Sequence, residues 1–220
     1  MFKSQKNVFW QSFLLVLFMF LVGIFLGIIL ENSRMNRIND LYKISEIDLL
    51  DVNLQNEIYS LKNFDCDFSI EENLNFADRI YMEAELLEKY EKAGKLKEEL
   101  ILQHKKYDLL RIVLILNSIK LQEKCNQSPH ILIYFYKYND VPINLKAKQD
   151  IFSKKIFQLK EKFGKNLLII PLSGDNNLSS INLFLNKYNV SINELPVIIL
   201  DEKMKITDLE EINDLEKYIN

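Results

Sequence analysis

Residues 8–30 constrain this chain more than any other stretch. Gln11 and Ser12 are the only clearly polar side chains in it, and residues 13–30 contain none. Roughly 20 apolar residues at about 1.5 Å rise match a hydrocarbon core of about 30 Å. Trp10 stands near one end, where an aromatic ring favours the membrane interface. A cleaved signal peptide would carry an apolar region of about 7–15 residues that ends at a small-residue cleavage site. Ile28-Ile29-Leu30-Glu31 offers no such site. The stretch therefore reads as a retained, single-pass signal anchor, with the lipid bilayer as the partner of residues 8–30. Lys3 and Lys6 flank one end, and Arg34, Arg37 and Lys43 the other. Counting Lys and Arg leaves the two flanks nearly tied, so the charges alone do not orient the anchor.

Beyond this tip and anchor (residues 1–31), the chain has the composition of a folded protein. Over its full length the chain is 48% hydrophobic and 27% charged, which excludes wholesale disorder. The net charge is −3 and the lysines are interleaved with Asp and Glu. That pattern gives solvated helix faces and no basic stripe for nucleic acid.

Residues 32–128 read as helical. One helix is predicted around residues 46–61. Ser69-Ile70-Glu71-Glu72 has capping-box spacing, and Ile70, Leu74, Ala77, Tyr81, Ala84 and Leu87 then recur at helical steps. Ala93-Gly94 supplies a stop. A second helix from about residue 95 to 122 carries Leu96, Leu100, Tyr107, Leu110, Leu114 and Leu121, with Gln103 and Asn117 at the skipped places. Steps of four and three make this a coiled-coil-like seam against the first helix. Residues 109–116 are apolar almost all round, interrupted by Arg111. They should be buried on two sides, by the hairpin partner and by the C-terminal domain.

An antiparallel hairpin turning near Gly94 sets Cys66 opposite Gln122, three residues short of Cys125. Short loops at the open end can bring the two sulfurs together, given Cα atoms within about 7 Å. Such a bridge persists in an oxidising compartment. It therefore places the bulk of the chain outside the cytoplasm, as a cell-membrane protein.

Residues 129–220 form the third region. Residues 130–138 read as a buried strand. Asn144 can cap a helix whose inner face is Phe152, Ile156, Leu159 and Phe163, closed by Gly164. Residues 166–170 make a second strand that stops at Pro171. A helix with Leu178, Ile181, Phe184, Leu185 and Tyr188 on one face follows Asp175. Next come a strand opened by Pro196, a turn at Asp201-Glu202-Lys203 and a short strand over residues 204–206. A last helix opens with Thr207-Asp208-Leu209-Glu210 and presents Leu209, Ile212, Leu215 and Ile219 inward. The fold class expected is a single transmembrane helix, an α-helical hairpin and an α/β domain of order β-α-β-α-β-β-α, its sheet covered on both faces.

That order, with Tyr188-Asn189-Val190 and Leu195-Pro196-Val197, resembles the minimal thioredoxin-like fold over residues 129–220. Taken whole, the anchor, hairpin and domain are similar to uncharacterised membrane-bound thioredoxin-like proteins of small-genome archaea. The resemblance implies that Pro196 matches the family's cis-proline, beside which Leu195 would offer backbone to an extended peptide. It also implies that Asp140-Val141-Pro142-Ile143 stands where the family carries Cys-Gly-Pro-Cys. Asp140 cannot attack a disulfide and Ile143 cannot resolve one, so dithiol oxidoreductase chemistry is disfavoured and no enzyme is expected. Negative charge at a helix N-terminus explains Asp140 on its own. His104 lies on a polar helix face and His130 opens a strand, with no ligand cluster near either, so no metal or cofactor is expected. Tyr134, Tyr136 and Tyr138 share one side of the first strand, for covering helices to bury. The function expected is a membrane-tethered, redox-inactive binding or scaffold protein of the cell envelope, with an extended peptide or an envelope protein as partner. The alternative is a thiol–disulfide active protein using Cys66 and Cys125 as a non-motif pair.

Overall fold

A computed structural model of the chain describes residues 5–61, 63–92 and 97–219. They form two compact units, residues 1–44 and 45–220. Helix α1 (Gln5–Ile58) carries the apolar stretch, and its segment Phe9–Arg37 is long and apolar enough to cross a membrane. Among the described side chains of that segment none is buried within the protein.

In the second unit the end of α1 packs on a helical hairpin, α2 (Cys66–Lys92) and α3 (Lys97–Lys124). Val52 of α1 and Tyr59, just past its end, are buried. Their helix is held to α3 by polar contacts: Asn117 Nδ2 donates to the Val52 carbonyl (3.3 Å), and Lys124 Nζ donates to the Tyr59 carbonyl (2.6 Å). The hairpin turn predicted at Gly94 falls outside the described residues, as does Leu96.

Two expectations for α2 are corrected. The helix begins a turn before Ser69, at Cys66, because Asp65 Oδ1 accepts the Phe68 N–H (3.1 Å) and caps it. Ser69 is instead buried, its carbonyl accepting the Tyr59 hydroxyl (3.3 Å). The face packed on α3 is also rotated by about one residue. Ser69, Asn73, Phe76, Ile80 and Leu87 are buried there, while Tyr81 is 66% exposed. Asn73 occupies the seam with its amide nitrogen donating to Ser118 Oγ (2.8 Å), while its Oδ1 has no hydrogen bond among the described residues.

Helix α3 has a second surface. Leu110, Ile112, Val113, Leu114 and Ile115 are all buried, and the helix packs on the first two strands of the sheet as well as on α2. The apolar-all-round segment therefore lies between hairpin and sheet, as its pattern predicts. That sheet contains β1 (His130–Tyr136), β2 (Leu167–Ser173), β3 (Val197–Leu200) and β4 (Met204–Ile206) in the order β2-β1-β3-β4. Strands β1 and β2 are parallel; β3 runs antiparallel to β1, and β4 antiparallel to β3. Three helices complete the unit, namely α4 (Ile143–Phe163), α5 (Ser179–Lys187) and α6 (Leu209–Asp214).

The element order is the one read from the sequence. One sheet face is built from Leu132, Tyr134, Ile198 and Leu200 against Phe152, Ile156 and Leu159 of α4 and Ile212, Leu215 and Ile219 at the C-terminus. By strand alternation Ile131, Ile133 and Phe135 point the other way. They are buried where α3 packs on the sheet and where Tyr188, past the end of α5, meets the Phe135 ring.

Local details differ from the expected ones. Strand β2 runs through Pro171, which pairs with Tyr134, instead of stopping at it. An edge strand has a side that needs no donor, so proline fits. Helix α4 starts at Ile143 with Pro142 as a cap that offers no side-chain bond, and Asn144 Oδ1 accepts only the N–H of Leu145 (2.9 Å). Asp208, not Thr207, caps α6, again without a side-chain bond; Glu211 accepts the Thr207 N–H (3.3 Å). That helix is one short turn, continued by a 3₁₀ turn over Leu215–Lys217. The β3–β4 hairpin turns at Asp201 and Glu202, both with positive φ, and Lys203 N–H donates to the Leu200 carbonyl (3.0 Å). This is the primed turn geometry that matches strand twist.

Candidate functional site

The segment expected at the family's redox position leaves the C-terminal end of β1. Its backbone is clamped on two sides. Asp175, just beyond β2, accepts the N–H groups of Tyr138 and Asn139 (both 2.8 Å). Gln149 of α4 accepts the Lys137 N–H (2.9 Å) and donates back to the Lys137 carbonyl (3.1 Å). Asp140 follows with φ at 44°, a left-handed conformation that aspartate tolerates better than most residues. Asp140 and Pro142 are exposed, Val141 is partly buried, and Ile143 is 90% exposed at the first position of α4. The four residues carry no nucleophile, and they present an isoleucine to solvent.

The second half of the site is the loop before β3. A 3₁₀ turn over Ile192–Glu194 is closed by a capping box between Ser191 and Glu194. Lys205 Nζ donates to the same Glu194 carboxylate (3.0 Å). The Ser191 N–H first, and then Lys205, hold the Glu194 carboxyl below its ordinary pKa. This box fixes Leu195, whose bond to Pro196 is cis; both residues are buried. The Leu195 side chain fills the space over Gly174, where an added Cβ would lie 2.9 Å from Leu195 Cδ1. Gly174 N–H in turn donates to the Tyr136 carbonyl (2.8 Å), so the loop, β2 and β1 are locked together at this end of the sheet.

Between the first turn of α4 and the Leu195 loop lies an open recess of about 430 Å³, which none of residues 140–143 lines. Asn144, Leu145 and Lys148 of α4 line one side, and Asn193, Glu194 and Leu195 the other, with Thr207 and Asp208 at the base. The first turn of α4 and the Leu195 loop, read separately in the sequence, thus border one cleft.

The two cysteines are joined, with Cα atoms 5.8 Å apart, at the open end of the hairpin. Cys125 is buried, and the bridge packs with Tyr59, Leu121, Phe64 and Ile70. Burial, then Glu72 and Asp51, push the Tyr59 hydroxyl pKa up to about 12. The bridge lies in this apolar cluster, and none of the residues lining the recess belongs to it.

Several features were not foreseen. His104 is not on a solvent face; its ring lies 4.2 Å from that of Tyr138, which has left the strand and turned toward α3. Only Tyr134 and Tyr136 keep the shared side, stacked 5.8 Å apart. They line a groove of about 680 Å³ between α2, the β2 edge and α4, with Tyr81, Phe157 and Pro171. His130 Nδ1 meets Asp201 Oδ2 (2.6 Å), and Asp201 Oδ1 accepts the Ile131 N–H (2.8 Å), so this pair ties the hairpin turn to β1. Asp108 of α3 is fully buried, bonded to Arg111 (3.2 Å) and to the Asn176 amide. Burial raises its carboxyl pKa, against the lowering pull of Arg111. The signal for it was Asp108 and Arg111 three residues apart, flanking the most apolar turn of a helix. Among the described residues no cluster of His, Cys, Asp and Glu suits a metal ion. Comparison with protein-family models, with curated proteins and with solved structures finds no match.

Proposed function

We propose that this chain is a single-pass membrane protein whose folded part is a redox-inactive, thioredoxin-like binding module for an extended peptide of an envelope partner. The observation that carries this reading is the recess in which Leu195 and the first turn of α4 face each other across about 430 Å³. Supporting it, the strand order and directions agree with the minimal thioredoxin-like arrangement. Leu195 stands just outside the β-ladder, whose last pair on this side is Phe135 with Val197. In this reading its main chain pairs with an added strand, and Asn144, Leu145 and Lys148 across the recess supply side-chain contact. Where a dithiol would sit there is Asp140-Val141-Pro142-Ile143, so capture proceeds without exchange chemistry. The Cys66–Cys125 bridge favours an oxidising, extracytoplasmic location for the folded part.

The test uses the full chain in lipid nanodiscs, panned against displayed extended decapeptides. Selected peptides should bind, and Asn144→Trp, at an exposed position lining the recess, should weaken them at least tenfold, about 1.4 kcal/mol. Leu183→Glu, at a 71% exposed position on α5, should leave affinity unchanged. Equal affinities for all three proteins would remove the recess as the binding site.

A further inference from the structure

The groove between α2 and α4 has walls that mirror each other. Asp78, Tyr81 and Glu88 line it from α2 at steps of three and seven. Lys160, Phe157 and Asp150 line it from α4 at the same steps in the opposite chain direction. Those steps keep each trio on one stripe of its helix. Asp78 and Lys160 also border a second, smaller recess together, which sets them at the same end. Ten residues of helix rise about 15 Å, so Glu88 and Asp150 both belong to the other end. There Gln149, the neighbour of Asp150, holds the backbone of Lys137 just past β1. Tyr81 and Phe157 stand between the two ends, one on each wall.

Packing does not account for the two rings. Tyr81 is 66% exposed and Phe157 57%. A single exposed aromatic needs no explanation, but these two line one cavity of about 680 Å³ together with Tyr134 and Tyr136. That volume falls in the range of roughly 300–1,000 Å³ typical of small-molecule sites. An extended chain fits it poorly. Gly174 N–H bonds to β1, so by alternation Leu167 and Pro171 turn their main chain to the open edge of β2. Pro171 brings no N–H there, and the Leu167 carbonyl already accepts from Lys160 Nζ (2.7 Å).

The charges select the ligand. Among the described residues that line the groove are three carboxylates, Asp78, Glu88 and Asp150, and one ammonium, Lys160. That ammonium sits at the Asp78 end and also donates to the Gly164 carbonyl (2.9 Å). Asp150, at the other end, is exposed and makes no salt bridge among the described residues. Lys146 and Lys154, one turn to either side of it on α4, do not line the groove. An anion is repelled from that end, and a neutral molecule leaves Asp150 unused. An organic cation uses the carboxylate and the ring faces alike. We infer that this groove binds a small organic cation with a flat apolar body, the body between Tyr81 and Phe157 and the cationic head at Asp150. Seven residues of helix separate ring from carboxylate on each wall, so body and head lie about 10 Å apart. None of the residues that line this groove lines the Leu195 recess, so the inference stands or falls apart from the peptide reading.

The experiment is isothermal titration calorimetry on the full chain in phosphatidylcholine nanodiscs, with empty discs subtracting partition into lipid. Three probes share a naphthyl ring on a four-carbon chain and end in trimethylammonium, hydroxyl or carboxylate. The ammonium probe should bind saturably, about fivefold or more tighter than the hydroxyl probe, and the carboxylate probe weakest. Asp150→Asn should weaken the ammonium probe about fivefold and leave the hydroxyl probe unchanged. Phe157→Ala should weaken both by a similar factor. Both positions are exposed, so an unchanged melting temperature shows that each variant is folded. No saturable binding beyond that of empty discs overturns the site. Equal affinity for the three probes, or an ammonium affinity that neither substitution moves, overturns it as well.

Discussion

Opening the Cys66–Cys125 bridge should cost the folded unit about as much as any single change to it. The two residues are 59 apart in sequence. In the chain-entropy treatment, a closed loop of that length removes about 4 kcal/mol of freedom from the unfolded chain at 25 °C. A domain of about 150–250 residues shifts its Tm by about 2–4 °C per kcal/mol. Loss of the bridge should therefore lower Tm by roughly 8–16 °C. Two perturbations separate the contributions. Reduction of the wild-type chain keeps both sulfurs in place and removes only the tether. The double variant Cys66→Ala, Cys125→Ala also removes sulfur from the cluster around Tyr59, Leu121, Phe64 and Ile70, so it should melt slightly below the reduced wild type. The assay is thermal melting followed by circular dichroism on the full chain in nanodiscs, with and without reductant. Reductant should lower the wild-type Tm and leave the variant unmoved. A double variant within about 2 °C of the oxidised wild type would refute the argument that the bridge acts by restricting the unfolded chain.

Two further outcomes are expected. Gly174→Ala should cost about 1–3 kcal/mol by overpacking, because its Cβ would stand 2.9 Å from Leu195 Cδ1; urea midpoints with an unchanged m-value check this, and a neutral effect would show that Leu195 has room to turn away. Burial raises the Asp108 carboxyl above its unfolded value, so its stabilising contribution is complete below about pH 4 and is lost as pH rises through the folded value. Asp108→Asn should flatten that part of the stability-against-pH curve, and an identical slope in both proteins would sink the assignment.

What could be read from the sequence follows the physics of each signal. Apolar patterning located the hairpin helices and the strands and helices of the C-terminal region, but it read a separate helix over residues 46–61 where α1 runs unbroken from Gln5 to Ile58; hairpin arithmetic brought Cys66 within three residues of Cys125. The same arithmetic misjudged the inner face of α2. Ile70, Leu74 and Ala77 make one apolar line, yet Ser69 and Asn73 are packed inward with Phe76, Ile80 and Leu87. A hydrophobic count treats a polar residue as outward-facing; it does not register that Asn73 has Ser118 to bond across the seam. Asp108, Arg111 and Asn176 escaped for the same reason, since their partners come from two elements distant in sequence. Caps were misplaced where Ser, Thr or Asn stood near a helix start but the backbone had already turned, as at Asn144. One wall of the recess was recognisable at Leu195, while its α4 wall, Asn144, Leu145 and Lys148, follows just after the Asp140-Val141-Pro142-Ile143 stretch that the sequence singled out. Their shared cleft needed the antiparallel placement of β3 against β1, which no local pattern encodes.

Helix α3 braces this end of the sheet through the loops that follow β1 and β2. Asp108 reaches the Asn176 amide in the β2–α5 loop, and the His104 ring packs on Tyr138 in the β1–α4 loop. Farther along α3, Gln122 Nε2 donates to Asp201 Oδ1 at the β3–β4 turn (3.0 Å) and to the Pro129 carbonyl (2.8 Å) before β1. One helix therefore ties down loops at both ends of the sheet, and does so with polar contacts that hold direction as well as distance. The same helix carries the inner seam of the hairpin, and Cys125 lies immediately after it. A site that binds without chemistry depends on holding its walls in place, because it gains nothing from a reactive group and loses affinity for every wall that must be ordered on binding. The rigid backing of the Leu195 recess is thus supplied by the helical region of the chain, and the binding reading requires the hairpin as much as it requires the sheet.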